Sequence, residues 1–145
     1  MNKSFQETNL SDIGLYDVPV IRDHRGNLAF LQHADLPFDF KRIYYLFDVP
    51  SGARRGGHAH KRQTELLIAL SGSFDVILND SVKRQRFQLN RPDRGLLIPP
   101  GIWRELENFS ANSICLVLNT DNFDESDYIR DFDEFLRTKN PPRRV

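Results

Sequence analysis

The chain has 145 residues, 39% of them hydrophobic and 28% charged, and its 20 Lys and Arg balance 20 Asp and Glu to a formal net charge of zero. A chain of this length can bury roughly two thirds of its unfolded surface, so a single domain over 1–145, with its core between about 15 and 136, is expected to fold without disulfides. Balanced charge excludes a broad basic face for nucleic acid, and a lone cysteine, Cys115, excludes a disulfide framework or thiolate metal cluster.

The N-terminal stretch MNKSFQETNLSDIGLYD lacks the apolar run of a signal peptide, and no stretch approaches the roughly 18 apolar residues that cross a bilayer, so a cytoplasmic protein without a membrane partner is expected. Turn-forming clusters then punctuate the chain at 23–27, 50–52, 56–57, 71–72, 79–80 and 99–101. Between them lie runs rich in β-branched and aromatic residues, at 28–32, 42–49, 65–70, 73–78, 84–89, 95–98 and 113–118. Several alternate with period two, as Phe74, Val76 and Leu78 do, which predicts strands with one face in a core. Many short strands at this spacing predict an all-β sandwich or barrel. Only the C-terminal segment 123–136 departs from the pattern: Ile129, Phe132, Phe135 and Leu136 fall on one side, as in a short strand or loop followed by a helical turn docked on the barrel.

The segment from Gly52 to Gly72 carries the chemistry. His58 and His60 are two apart, so on a strand both imidazoles face one way. Glu65 opens the next apolar run after a spacer long enough to turn the chain. Three groups able to bind a metal or move a proton therefore converge in one interior. His24 and His33 carry no such signal.

The spacing Gly52, His58, His60, Glu65, Gly72 resembles the first motif of the cupin superfamily at every position, and Pro99-Pro100-Gly101 through Asn108 resembles the second. The resemblance implies a single RmlC-like jelly-roll barrel with a short C-terminal appendage. One position departs: Arg104 stands where a histidine would be the fourth metal ligand. A guanidinium has no free lone pair and stays protonated. At about 4 Å and an effective dielectric near 20, each unit of like charge costs about 4 kcal/mol, and a divalent ion doubles it. A pocket without metal or other cofactor is expected, in which the histidines act as acid and base and Arg104 stabilises an oxyanion or holds an anionic substrate.

Arg42 to Pro50 with Tyr44 and Tyr45, Arg55-Gly-Gly-His58-Ala-His60-Lys61, Pro99 to Trp103, and Ser126 to Phe132 together resemble the sugar 3,4-ketoisomerase family. That resemblance implies a cytoplasmic homodimer that moves the ketone of dTDP-4-keto-6-deoxyglucose from carbon 4 to carbon 3, on the route to 3-amino-3,6-dideoxyhexoses of lipopolysaccharide or S-layer glycans. Carbonyl migration needs a base, a stabilised enediolate and an acid, and histidine suits both transfers near neutrality. His58 and His60 are the expected pair, His58 taking the carbon 3 proton. Of Tyr44 and Tyr45, neighbours on one strand, only one should point inward to a sugar oxygen. Asp23-His24-Arg25-Gly26 resembles a turn of the dTDP-sugar epimerases, which makes Arg25 the first candidate for the diphosphate and Arg55 the second. Trp103 is expected beside Arg104 at the pocket mouth, against sugar or base. Within the family the residue after this Trp is His or Arg, and Arg104 points to the gluco product. Arg54, Arg55, Lys61 and Arg62, joined by Arg104, would give the site a local positive charge that the zero total conceals. The competing readings are a dTDP-sugar 3,5-epimerase, a metal-dependent cupin oxygenase and a sugar-binding cupin without turnover.

Overall fold

The structure, a computed structural model, describes residues 3–32 and 35–143; His33 lies outside them. Among the described residues the chain forms twelve strands: β1 (Gly14–Asp17), β2 (Val20–Ile21), β3 (Leu28–Ala29), β4 (Arg42–Leu46), β5 (Arg55–His60), β6 (Glu65–Ser71), β7 (Phe74–Asn79), β8 (Arg84–Leu89), β9 (Arg94–Ile98), β10 (Trp103–Glu107), β11 (Ile114–Asn119) and β12 (Tyr128–Ile129). A two-turn helix, α1 (Phe132–Lys139), follows. One antiparallel sheet runs β1-β9-β6-β11-β4 and a second runs β12-β5-β10-β7-β8, with β2 and β3 as a separate hairpin. The two large sheets face each other across one apolar cluster, to which Leu67, Leu96 and Val117 contribute from the first and Phe74, Val76, Leu78 and Leu106 from the second. This is the jelly-roll barrel of the cupin type that the motifs imply.

Strand alternation sorts the interior into rows. In the first sheet the register aligns Arg42, Asn119, Glu65 and Ile98 in one inward row, then Tyr44, Val117, Leu67 and Leu96 in the next. The barrel is therefore polar at one end and hydrocarbon at the other. In the second sheet β5 carries an extra residue against β10, because Arg104 pairs with His58 but Leu106 pairs with Arg55. Gly56, with φ of +78°, lies in this bulge. The extra residue breaks the plain alternation between Arg55 and the histidines; Arg55 is exposed, while His58 and His60 are buried.

The predicted runs at 84–89, 73–78 and 113–118 are strands, as are most residues of the others. Three strands, β1, β2 and β10, lie outside the predicted runs and outside the segments 52–72 and 123–136. In β1, Leu15 is exposed, and in β10 the sequence Trp-Arg-Glu-Leu-Glu buries an arginine. The appendage is a strand of two residues followed by α1, which extends past Leu136 to Lys139. Asp133 and Glu134 in its first turn and Arg137 and Lys139 in its last complement the helix dipole. Phe135 packs with Trp103, Ala59 and Ile129 on the outer side of the second sheet. The Lys139 ammonium donates to the carbonyls of Phe5 and Thr8, both at 2.6 Å, and so ties the helix to the N-terminal segment.

Phe135 is fully buried in that cluster. Truncating it to alanine is expected to lower the unfolding free energy by about 3–5 kcal/mol, read by chemical denaturation. A loss below about 1 kcal/mol, within the range of surface substitutions, would mean that the helix is not an anchored part of the fold.

Candidate active site

Six elements deliver side chains to the polar end of the barrel. β5 supplies His58 and His60, β6 supplies Glu65, β11 supplies Asn119, β4 supplies Tyr44, β10 supplies Arg104, and β12 with the turn before it supplies Tyr128 and Asp127. His60, Glu65, Arg104, Asn119 and Asp127 are at most 1% exposed, and His58 is 7% exposed.

Glu65 is the hub. Arg104 Nη1 donates to its Oε1 at 2.7 Å, while the Tyr44 hydroxyl and Asn119 Nδ2 each donate to Oε2 at 2.8 Å. His60 Nε2 lies 3.4 Å from the same Oε2. Burial opposes the negative charge, but the Arg104 guanidinium and the neighbouring His60 hold the carboxyl well below the usual range. Arg104 also donates from Nη2 to the Ile102 carbonyl at 3.0 Å. Burial and then the charge of Glu65 push the Tyr44 hydroxyl far up. Its proton is committed to Glu65, so toward any ligand its oxygen can only accept.

The two imidazoles stand perpendicular, with ring centroids 4.9 Å apart, and Tyr128 closes over both at 5.0 and 4.5 Å. Burial, reinforced by the positive Arg104, lowers the His58 pKa from 6.5 to about 3. His58 is therefore neutral at physiological pH and can accept a proton. His60 Nδ1 contacts Asp127 Oδ2 at 2.9 Å. Among the described residues, His58 Nε2, His60 Nε2, Arg104 Nε and Asn119 Oδ1 are buried without a hydrogen-bond partner. Such groups are costly unless a ligand or water answers them, and here they cluster at the polar end of the barrel.

His58, His60 and Glu65 also present ligand atoms within 4.8 Å of one another, a geometry that suggests a metal site. The donor set does not fit one. Both Glu65 oxygens already accept strong hydrogen bonds, and the Arg104 charge stands in contact with the only carboxylate of the three. Bringing in a dication would break the Arg104–Glu65 pair and leave a buried guanidinium beside it.

The structure brings His58, His60, Tyr44 and Arg104 together and leaves the other sequence candidates elsewhere. Tyr45 points outward, 60% exposed, against Phe47. Trp103, adjacent to Arg104 on the strand, necessarily faces the other way and packs on Phe132 and Phe135 rather than at the mouth. Arg25 sits on the exposed turn between β2 and β3, clamped to its own Asp23 through Nε and Nη2. Arg55 is exposed at the start of β5. The expected positive surround is largely neutralised, since Arg54 pairs with Glu107, Arg62 with Asp124 and Arg104 with Glu65.

Three participants were not singled out from the sequence. Asn119 continues the inward alternation of Cys115 and Val117, a signal that period-two counting could have found. Tyr128 lay in a string used only for the family likeness. Asp127 is one of several acids between 121 and 133, and nothing in that run distinguishes it.

With this geometry established, comparison with known proteins is specific. Residues 11–140 match the pattern of the FdtA family, described as WxcM-like, C-terminal. The chain is 42% identical over 118 residues, 81% of its length and 85% of the relative's, to TDP-4-oxo-6-deoxy-alpha-D-glucose-3,4-oxoisomerase of Aneurinibacillus thermoaerophilus. The crystal structure of the WlaRB TDP-quinovose 3,4-ketoisomerase from Campylobacter jejuni matches with a TM-score of 0.83 at 45% identity, covering 88% of this chain and 99% of that one. QdtA, a sugar 3,4-ketoisomerase from Thermoanaerobacterium thermosaccharolyticum solved in complex with TDP, matches with a TM-score of 0.88 at 36% identity, over 90% and 96% of the two chains. A dTDP-4-dehydrorhamnose 3,5-epimerase from Bacillus anthracis, at 19% identity and a TM-score of 0.71 over 84% and 79% of the chains, shares the fold alone.

The His58 shift has a consequence for stability. Its folded pKa of about 3 lies below the ordinary 6.5, so as pH falls below 6.5 the unfolded chain binds a proton that the folded one refuses. Stability is therefore complete above pH 6.5 and lost progressively toward pH 3, by up to about 1.4 kcal/mol per pH unit. Glu65, whose folded pKa is depressed below 4.5, adds to the loss only below that pH. Denaturation series between pH 7 and 5 are expected to show this slope, and His58→Asn is expected to flatten it. Equal slopes in both proteins would contradict the assignment.

Proposed function

The chain belongs to the FdtA family, and from that membership we propose that it is a sugar-nucleotide 3,4-ketoisomerase acting on a dTDP-linked 4-keto-6-deoxyhexose. The observation that carries the reading is the buried pair of imidazoles with unpartnered Nε2 atoms, set against an arginine that displaces metal chemistry.

The carbon 3 hydrogen is acidified by the adjacent carbonyl. His58, neutral and with a free Nε2, takes that proton and leaves an enediolate across carbons 3 and 4. Arg104 Nε–H, unpartnered in the interior, supplies a hydrogen bond to the developing oxyanion. His60, entering the step with a proton on Nε2, places it on carbon 4, and the hydroxyl proton of carbon 3 moves to the oxygen of carbon 4. The proton held by His58 then passes to His60, directly or through solvent, to reset the pair. The carbonyl is then at carbon 3, and atoms and electrons balance without a redox partner. The same reading assigns dTDP as the nucleotide, the gluco configuration at carbon 4, and a cytoplasmic setting in deoxysugar synthesis for lipopolysaccharide or S-layer glycans.

Incubation with dTDP-4-keto-6-deoxyglucose in deuterated buffer, followed by NMR, is expected to show the ketone at carbon 3. Deuterium at carbon 5 with the ketone unmoved would establish the epimerase instead. His58→Asn and His60→Asn are each expected to lower turnover about 10²–10⁴-fold with dTDP affinity retained. A sugar-binding protein would show no turnover to lose, and an oxygenase would lose activity to a chelator.

A homodimer belongs to this proposal. Ile43, Tyr45 and Phe47 are 53–60% exposed on the edge strand β4 or just beyond it, and Leu70 of β6 in the same sheet is 44% exposed. An apolar strand edge of this kind invites pairing with a second copy. Sedimentation at micromolar concentration is expected to give twice the 16.9 kDa chain mass; a monomer would refute it.

A further inference from the structure

The C-terminal appendage holds a group that the isomerase reading leaves without a role. Asp127 is fully buried, and the turn Glu125–Asp127 delivers it beside the His60 ring. Its Oδ1 accepts the Arg62 amide at 2.6 Å, and its Oδ2 accepts the Gln63 amide at 3.3 Å and faces His60 Nδ1 at 2.9 Å. Its own carbonyl accepts the Lys61 amide at 2.8 Å. Burial opposes the charge, but the His60 and Arg62 hydrogen bonds hold the carboxyl below its ordinary value. A carboxylate pinned in this way accepts only, so the ring atom facing it must carry the hydrogen.

We propose that Asp127 is a positioning residue that fixes His60 in the Nδ1–H form, so that Nε2 is the one ring atom able to exchange a proton with the sugar. In the neutral ring Nε2 holds the lone pair; in the protonated ring it holds the mobile proton, 3.4 Å from Glu65 Oε2. Tyr128, the next residue, closes over the same ring and keeps its plane. The appendage is thus part of the proton-transfer machinery rather than a cover for the barrel. This inference rests on the isomerase reading for its catalytic consequence and on geometry alone for the tautomer.

Asp127→Asn separates the two. The amide oxygen would keep the short bond to the Arg62 amide, which turns the NH2 toward His60 Nδ1 and forces that nitrogen to accept. Nitrogen-15 NMR of the imidazoles is expected to show a proton on His60 Nδ1 in the native protein and an Nε2–H ring in the variant. Turnover is expected to fall about 10²-fold or more, with KM within about threefold. A native ring lacking the Nδ1 proton overturns the proposal even if the variant fails to fold. A variant with unchanged tautomer also overturns it, whether or not its activity falls, because Asp127 would then be structural. If the native protein does not isomerise the sugar, the isomerase reading fails while the NMR still decides the role of Asp127.

Discussion

An arginine only 1% exposed inside a barrel of 145 residues has to be answered by a carboxylate, and the Arg104–Glu65 pair is the constraint on which the rest of the site depends. Removing either ion from water costs several kcal/mol on the order-of-magnitude scale, and such a pair is sustained only when its remaining donors and acceptors are satisfied. That requirement explains the neighbours. Asn119 and Tyr44 complete the coordination of Glu65, and the Ile102 carbonyl takes a second bond from Arg104. Around this pair, among the described residues, the atoms left without a partner are one guanidinium nitrogen, two imidazole nitrogens and an amide oxygen.

The same pair selects the chemistry. In a metal-binding cupin the glutamate would be a ligand and the fourth position a histidine. Here the arginine occupies that position, takes one carboxylate oxygen, and places a fixed positive charge beside His58. Together with burial this keeps His58 neutral. A neutral imidazole near a cationic N–H is a proton acceptor next to an oxyanion stabiliser, which is the combination carbonyl migration requires. The electrostatics of the pair and the proposed proton transfer are therefore one arrangement.

The polar end of the barrel is closed by the appendage. Its apolar residues, Ile129 and Phe135, join Trp103 and Ala59 on the outside of the second sheet, and that docking fixes where Asp127 and Tyr128 enter. Ala59 lies between His58 and His60 on β5 and points the opposite way, so the packing that holds the helix also holds the strand that carries both imidazoles. Fold stability and ring placement share the same contacts.

Much was legible in the sequence because it depends on spacing along one strand. Period-two alternation identifies most strands. The separation of His58 from His60 puts both on one face, and the substitution of Arg104 into a cupin motif speaks against a metal. The neighbouring pairs Tyr44–Tyr45 and Trp103–Arg104 must each split between inside and outside, and alternation alone does not say which member goes in. The bulge at Gly56 breaks the alternation between Arg55 and His58, and it shows only in the register of β5 against β10. The partner of each buried group was likewise beyond reach. Asp127 meets His60 across 67 positions of chain, and Asn119 meets Glu65 across 54. The sequence by itself determined the barrel, the two imidazoles on one face and the cation in the motif beside them, because these follow from local periodicity and residue chemistry. Only the tertiary structure decided which acid orients which base, because that depends on where sheet register and helix docking bring distant segments into contact.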